Sequence, residues 1–193
     1  MLSESGICAS ARPFLAALLQ QIFPHRPVVI VTDSLKTQEG FQQDLETWQA
    51  QLPTLNSQLL FYPAWEIFPH EDKLPHADVI SDRLQTLIAV TNNLKLKNSQ
   101  IVVTRVAALL QKTFAPDELK ARTRALERGY KTAPLDLVDW LETQGYEPEA
   151  QVTQKGEIAL RGGILDIFPP TSPWPVRLEF SAMNWSRSVN LTR

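Results

Sequence analysis

Metal ligation or nucleophilic catalysis would have to start where histidines, acids or a thiol crowd together. The densest such group is His70, Glu71, Asp72, His76 and Asp78. Pro69 and Pro75 break this stretch into loop, and its histidines lack the i, i+4 spacing that puts two ligands on one face of a zinc helix. It reads as a solvated acidic loop. Cys8 is the one cysteine of the chain, so neither a disulfide framework nor a multi-thiolate zinc site is available. Without a base nearby in sequence, it reads as a small buried residue. A phosphate loop would sit just before the first helical pattern, where the chain has Gly6-Ile7-Cys8-Ala9-Ser10-Ala11-Arg12-Pro13. Cradling phosphate takes glycines for close backbone approach and a Lys-Ser/Thr pair for the terminal phosphates and magnesium. Here there is one glycine, no lysine, and Arg12-Pro13 in place of the pair. No residue qualifies as catalytic, cofactor-binding or metal-binding.

Binding chemistry has better candidates. Lys120, Arg122, Arg124, Arg128 and Lys131 form a basic run that could touch phosphate, but with Leu119 and Leu126 it equally fits an amphipathic helix turning its charges to water. Residues 115–193 hold ten Lys or Arg against eleven Asp or Glu, so no positive field surrounds the run to hold a nucleic-acid backbone. The string Gly156-Glu157-Ile158-Ala159-Leu160-Arg161-Gly162-Gly163-Ile164-Leu165-Asp166-Ile167-Phe168 is more informative. Read as one strand, it places Ala159, Arg161 and Gly163 on a common face, so the arginine stands clear of its small neighbours. The double glycine weakens a strand and points to a bulge or a close contact. On a returning strand over 176–180, Arg177 and Glu179 share one face, while Leu178 and Phe180 point to the other. Two arginines on such a hairpin suit acidic groups of another protein. Ion pairs within the chain, to Glu157, Asp166 or Glu179, are an equally good account.

The elements that must carry these residues follow from periodicity. Phe14, Leu15, Leu18, Leu19 and Ile22 mark a first helix, and Val28 to Val31 a buried strand. A helix through Phe41, Leu45 and Trp48 precedes a strand over 59–62. A helix over 78–91 precedes a strand over 101–103, and Val106 to Leu110 opens another helix. Strands separated by helices predict a parallel sheet covered on both faces. Past a boundary near residues 112–116 the style becomes α+β, with a short helix from Pro134 capped at Gly145. Its strands over 157–168 and 176–180 are joined through Pro169, Pro170, Pro173 and Pro175, a stiff connection. In total, 44% of the 193 residues are hydrophobic and the net charge is −2, which predicts a cored protein rather than a disordered tail. The sequence has no span-length apolar run and no signal-peptide pattern, so a cytoplasmic protein without membrane contact is expected.

Two strings then resemble a known family. Tyr62-Pro63-Ala64-Trp65-Glu66-Ile67-Phe68-Pro69, with Pro75-His76 and Ile80-Ser81-Asp82-Arg83-Leu84, is similar to the N-terminal region of bacterial transcription-repair coupling factors. Leu160-Arg161-Gly162-Gly163-Ile164-Leu165-Asp166-Ile167-Phe168-Pro169 resembles the hairpin of that family's second domain, a pattern shared with the excision-repair protein UvrB. The resemblance spans roughly residues 10–180. It implies an incomplete, degenerate helicase-like (P-loop NTPase-like) α/β domain over 1–114 without a phosphate loop, and a small UvrA-interaction domain over 115–181. An atypical tail follows over 182–193. It also implies a protein-binding module that recruits UvrA in transcription-coupled nucleotide excision repair, with no catalysis and no cofactor. DNA would be met only through the full-length context. By motif position, Arg161, Gly162, Gly163, Arg177 and Phe180 are the implied partner-binding residues. Ser181 stands where the family usually has an aromatic. The rival readings are an ATP-dependent DNA translocase, the activity of full-length family members, and a truncated remnant without activity.

Overall fold

Runs of β-branched and aromatic residues build the first sheet. In a computed structural model, which describes residues 6–52, 57–67, 75–96, 99–126 and 132–180, the chain divides into two units, Met1–Thr113 and Phe114–Arg193. The first unit contains β1 (Val28–Thr32), β2 (Gln58–Tyr62) and β3 (Gln100–Arg105), all parallel, in the order β1-β3-β2. Between them run the return helices that parallel strands require: α1 (Arg12–Ile22) precedes β1, α2 (Leu35–Gln51) joins β1 to β2, and α3 (Ala77–Leu96) joins β2 to β3. Pro13 presets the first turn of α1. The Ser34 side chain accepts the Thr37 N–H at 3.2 Å and so caps α2. Val106–Leu109 makes α4, a single turn rather than a longer helix.

Alternation along β3 divides this core. Ile101 and Val103 pack with Ala16, Ala17 and Leu45 from α1 and α2. Val102, Leu60 and Tyr62 form the opposite cluster with Ala64 and Ala108, joined by Leu87 and Ala89 of α3. Polar side chains stitch the C-terminal ends of the strands, where ladder partners run out. Gln38 Nε2 donates to the carbonyls of Tyr62 and Val103 at 3.1 and 3.0 Å, and Thr104 Oγ1 donates to the Tyr62 carbonyl at 2.9 Å.

The largest fully buried side chain of the described residues is charged. Arg83, on α3, is 1% exposed. Its guanidinium lies 4.3 Å from the ring centroids of both Tyr62 and Trp65. Nη1 donates to the Pro63 carbonyl at 2.7 Å and to Gln111 Oε1 at 3.4 Å, and Nη2 donates to Tyr62 Oη at 2.7 Å. Gln111 also receives the Trp65 N–H at 2.7 Å and donates to the Trp65 carbonyl at 3.2 Å. Burial pulls the Arg83 pKa down from the ordinary arginine value, against the pull of Tyr62.

The second unit is α+β. Pro116–Ala121 forms α5 and Pro134–Thr143 forms α6, each with proline in its first turn. The strands β4 (Glu147–Pro148), β5 (Glu157–Arg161), β6 (Ile164–Ile167) and β7 (Val176–Glu179) make a four-stranded sheet in that order. Leu137 and Leu141 of α6 pack on Ile158, Leu165, Ile167 and Leu178. Each such buried aliphatic is worth about 1.5–3 kcal/mol in transfer. Two expectations are corrected. Residues 157–168 are not one strand, because Gly162 and Gly163 have φ of +55° and +92° and turn the chain between β5 and β6. Positive φ at both central residues is what a two-residue type I′ hairpin demands, so the apolar run folds back on itself. The basic run is not one helix either, since α5 ends at Ala121 and residues 123–126 are irregular.

Three measurements test these contacts. Arg83→Ala removes a stacked cation and leaves a cavity between two rings, which should cost about 3 kcal/mol and lower the urea midpoint; Arg83→Lys should recover little of it. A parent-like midpoint for either variant contradicts the sandwich. At Gly163 a Cβ would lie 3.3 Å from the Phe180 carbonyl oxygen at a positive φ. Gly163→Ala should therefore cost roughly 1–3 kcal/mol, whereas Gly162→Asn, in the left-handed region that asparagine visits, should be tolerated. Glu157 Oε2 accepts from Thr153 N at 2.6 Å, Gln154 N at 2.8 Å and Thr153 Oγ1 at 3.0 Å. These donors, the Thr153 N–H foremost, hold its carboxyl below the ordinary 4.5. Its stabilisation is then full above the unfolded-state value and lost as pH falls through the folded one. Glu157→Gln should lower Tm at neutral pH, with the two Tm curves converging in acid.

Candidate interaction face on the second sheet

With Ile158, Leu165, Ile167 and Leu178 turned to α6, strict alternation sends the intervening residues to the other side. Strand register arranges them in two cross-strand rows: Ala159, Asp166 and Arg177 in one, Arg161, Ile164 and Glu179 in the next. The rows lie beside the Gly162-Gly163 turn. Ile164, 37% exposed, stands between Arg161 and Glu179 as an apolar spot framed by charge.

The two arginines are not equivalent. Arg177 Nε donates to Asp166 Oδ1 at 2.7 Å and Nη2 donates to Asp166 Oδ2 at 2.9 Å, a bidentate pair across β6 and β7. The Asp166 hydrogen bonds, then its charge, raise the Arg177 pKa. The pair stays at the surface, with side-chain exposures of 62% for Arg177 and 25% for Asp166. Arg161 closes β5 and is exposed. Its backbone pairs with Ile164, but among the described residues its side chain makes no hydrogen bond or ion pair. Of the two accounts open at the level of sequence, the internal ion pair holds for Arg177 and not for Arg161.

The other residues of the motif work on the backbone or from behind. Gly162 and Gly163 are the turn, not strand positions flanking Arg161, and the Gly163 carbonyl accepts the Phe180 N–H at 2.8 Å. Phe180 is partly buried and packs against the α6 cluster, on the side away from the arginines. Trp174, which the sequence does not single out, is 63% exposed in the proline-rich connection between β6 and β7. Ser172 Oγ braces it by donating to the Trp174 carbonyl at 2.6 Å and accepting its N–H at 3.2 Å. Four prolines around one tryptophan were the available signal, because stiff backbone lowers the cost of displaying a large apolar ring.

The remaining sequence candidates disperse. Arg122 pairs with Glu118 at 3.3 Å and lies over Phe114, Arg124 lies 4.4 Å from the Trp140 ring centroid, and Lys120 reaches Asp117 at 3.4 Å. Arg128 and Lys131 fall outside the described residues, as do His70, Glu71 and Asp72. His76 and Asp78 are exposed and 3.5 Å apart. No group of three potential ligands that could hold a metal occurs among the described residues. Cys8 is exposed, not buried, since the short 3-10 turn that it opens, over Ala9–Ala11, buries none of its residues; its bond to Ser10 leads the lowering of its pKa below 9.0. No helix of the described residues is long and apolar enough to cross a membrane.

Comparison with known proteins bears on the same unit. Residues 125–184 match the UvrB interaction domain. The chain is 33% identical over 130 residues to the transcription-repair-coupling factor of Haemophilus influenzae, covering 67% of this chain and 11% of that protein. It is 29% identical over 176 residues to the factor of Bacillus subtilis, with 91% and 14% covered. Against that of Mycobacterium tuberculosis it is 31% identical over 175 residues, with 89% and 13% covered. The chain thus spans between about a tenth and a seventh of the length of these relatives. Over most of its length, the chain is related to the N-terminal, UvrB-like region of the bacterial transcription-repair-coupling factors, and within its second unit residues 125–184 match the UvrB interaction domain.

Proposed function

We propose that the chain is a non-catalytic docking module of a transcription-repair coupling factor, which recruits UvrA to sites of transcription-coupled repair in the cytoplasm. The observation that carries this reading is the coincidence of the UvrB interaction domain match over 125–184 with a sheet face that α6 leaves uncovered and that ends in an exposed Arg161. The partner meets Arg161 and Arg177 on that face. Gly162 and Gly163 set the register of the rows, and Phe180 supports them from the core side. Residues 1–114 form a degenerate helicase-like domain. It has the parallel sheet but, at Gly6–Pro13, neither the glycines nor the Lys-Ser/Thr pair of a phosphate loop. The second, over 115–181, is the UvrA-interaction domain, and a tail follows over 182–193. DNA and the motor chemistry belong to the rest of the full-length protein.

The reading predicts co-elution of the chain with UvrA in gel filtration. Arg161→Glu combined with Arg177→Glu should abolish it while the circular dichroism spectrum stays unchanged. Losing a well-packed charged contact typically costs about 2–5 kcal/mol, a large effect at micromolar protein. Undiminished co-elution of the double variant would sink the reading.

A further inference from the structure

Across the two rows of the face turned away from α6, where Ala159 is buried and the arginines are exposed, Arg161 and Arg177 are balanced by Asp166 and Glu179. A face of no net charge cannot recognise a partner simply as a positive patch. What distinguishes its positions is geometry. Asp166 uses both carboxylate oxygens on Arg177, at 2.7 and 2.9 Å, and so fixes a planar guanidinium across β6 and β7. Nε–H and one Nη2 proton are consumed by the clasp, while the Nη1 amino group remains. A partner carboxylate placed there would lie beside the Asp166 carboxylate and be repelled. A neutral acceptor, such as a main-chain carbonyl, would not. The Arg161 side chain sits in the adjoining row without a hydrogen-bond or ion-pair partner among the described residues.

Resting on the UvrA reading above, we infer that Asp166 is a positioning residue for partner recognition. By clasping Arg177 it presents a charge-compensated donor that takes a neutral acceptor, and it leaves the partner's one carboxylate to Arg161, with an apolar group seated over Ile164 between them. The surface fits a protein segment that alternates an acid, an apolar side chain and an uncharged hydrogen-bond acceptor. It does not fit a polyacidic stretch.

Isothermal titration of UvrA into the full chain tests this, with folding followed by thermal unfolding. Asp166→Asn loosens the clasp and uncovers the Arg177 charge. Binding should weaken about tenfold and become more salt-dependent, because a mobile, uncompensated cation now faces an acceptor that cannot neutralise it. Arg161→Ala should weaken binding by about tenfold or more. The swapped pair, Asp166→Arg with Arg177→Asp, rebuilds the clasp in reverse. It should restore the unfolding midpoint but not the affinity, since the donor has moved to β6. Unchanged or tighter binding by Asp166→Asn overturns the inference, as does wild-type affinity in the swapped pair, which would make the clasp purely structural. Absence of binding by the wild-type chain overturns the UvrA reading itself, and the inference with it.

Discussion

The first unit depends on a cation held without a carboxylate among its described partners. Arg83 is met instead by two aromatic faces, a carbonyl, a phenol oxygen and an amide oxygen. Burying a guanidinium is expensive unless its donors are satisfied together. That condition couples the end of β2, the segment Pro63–Trp65, helix α3 and the residues just past α4, since each supplies one part of the cage. The helices on the two faces of the sheet can pack by apolar area alone, but area does not specify where the chain goes after β2. The cage does, because Trp65 must lie over Arg83 while its own backbone pairs with Gln111.

In the second unit the corresponding constraint is register. A one-residue slip of β6 against β5 would send Leu165 and Ile167 to water and Asp166 into the α6 interface. The Gly162-Gly163 turn prevents it by allowing only two residues between the strands. The bond from Phe180 to the Gly163 carbonyl carries the same register to β7. The side of the sheet that packs on α6 and the side that carries Arg161 and Arg177 are thus set by one turn. Exposed charge then costs little, since a surface ion pair is worth at most about 1 kcal/mol to folding, and the Arg177–Asp166 pair is better understood through orientation than through stability.

Much of this organisation was legible beforehand. Alternating apolar helices and β-branched runs gave the parallel sheet of the first unit, and the missing lysine before α1 argued against phosphate chemistry. The strings around Trp65 and Arg161 carried the family likeness. The misreadings have a common cause. Ile158 to Phe168 is apolar and alternating on both sides of two glycines, so periodicity alone ran through the turn, although Gly-Gly between such runs is itself a hairpin signal. Basic residues spaced around Leu119 and Leu126 suggested a helix, yet α5 stops after Ala121.

Sequence by itself determined the strands and return helices of the first unit and the helix from Pro134, because side-chain period and backbone propensity are local properties. It also showed that Gly6–Pro13 lacks the Lys-Ser/Thr pair of a phosphate-loop motif, because that motif needs particular residues in particular places. Only the tertiary structure decided which arginine is clasped and which stands clear, that Cys8 is exposed, and that Arg83 is caged. Asp166 and Arg177 are eleven residues apart and meet only through strand pairing; Arg83 finds Pro63 and Gln111 twenty and twenty-eight residues away. Such contacts depend on register and packing, which no single segment of sequence contains.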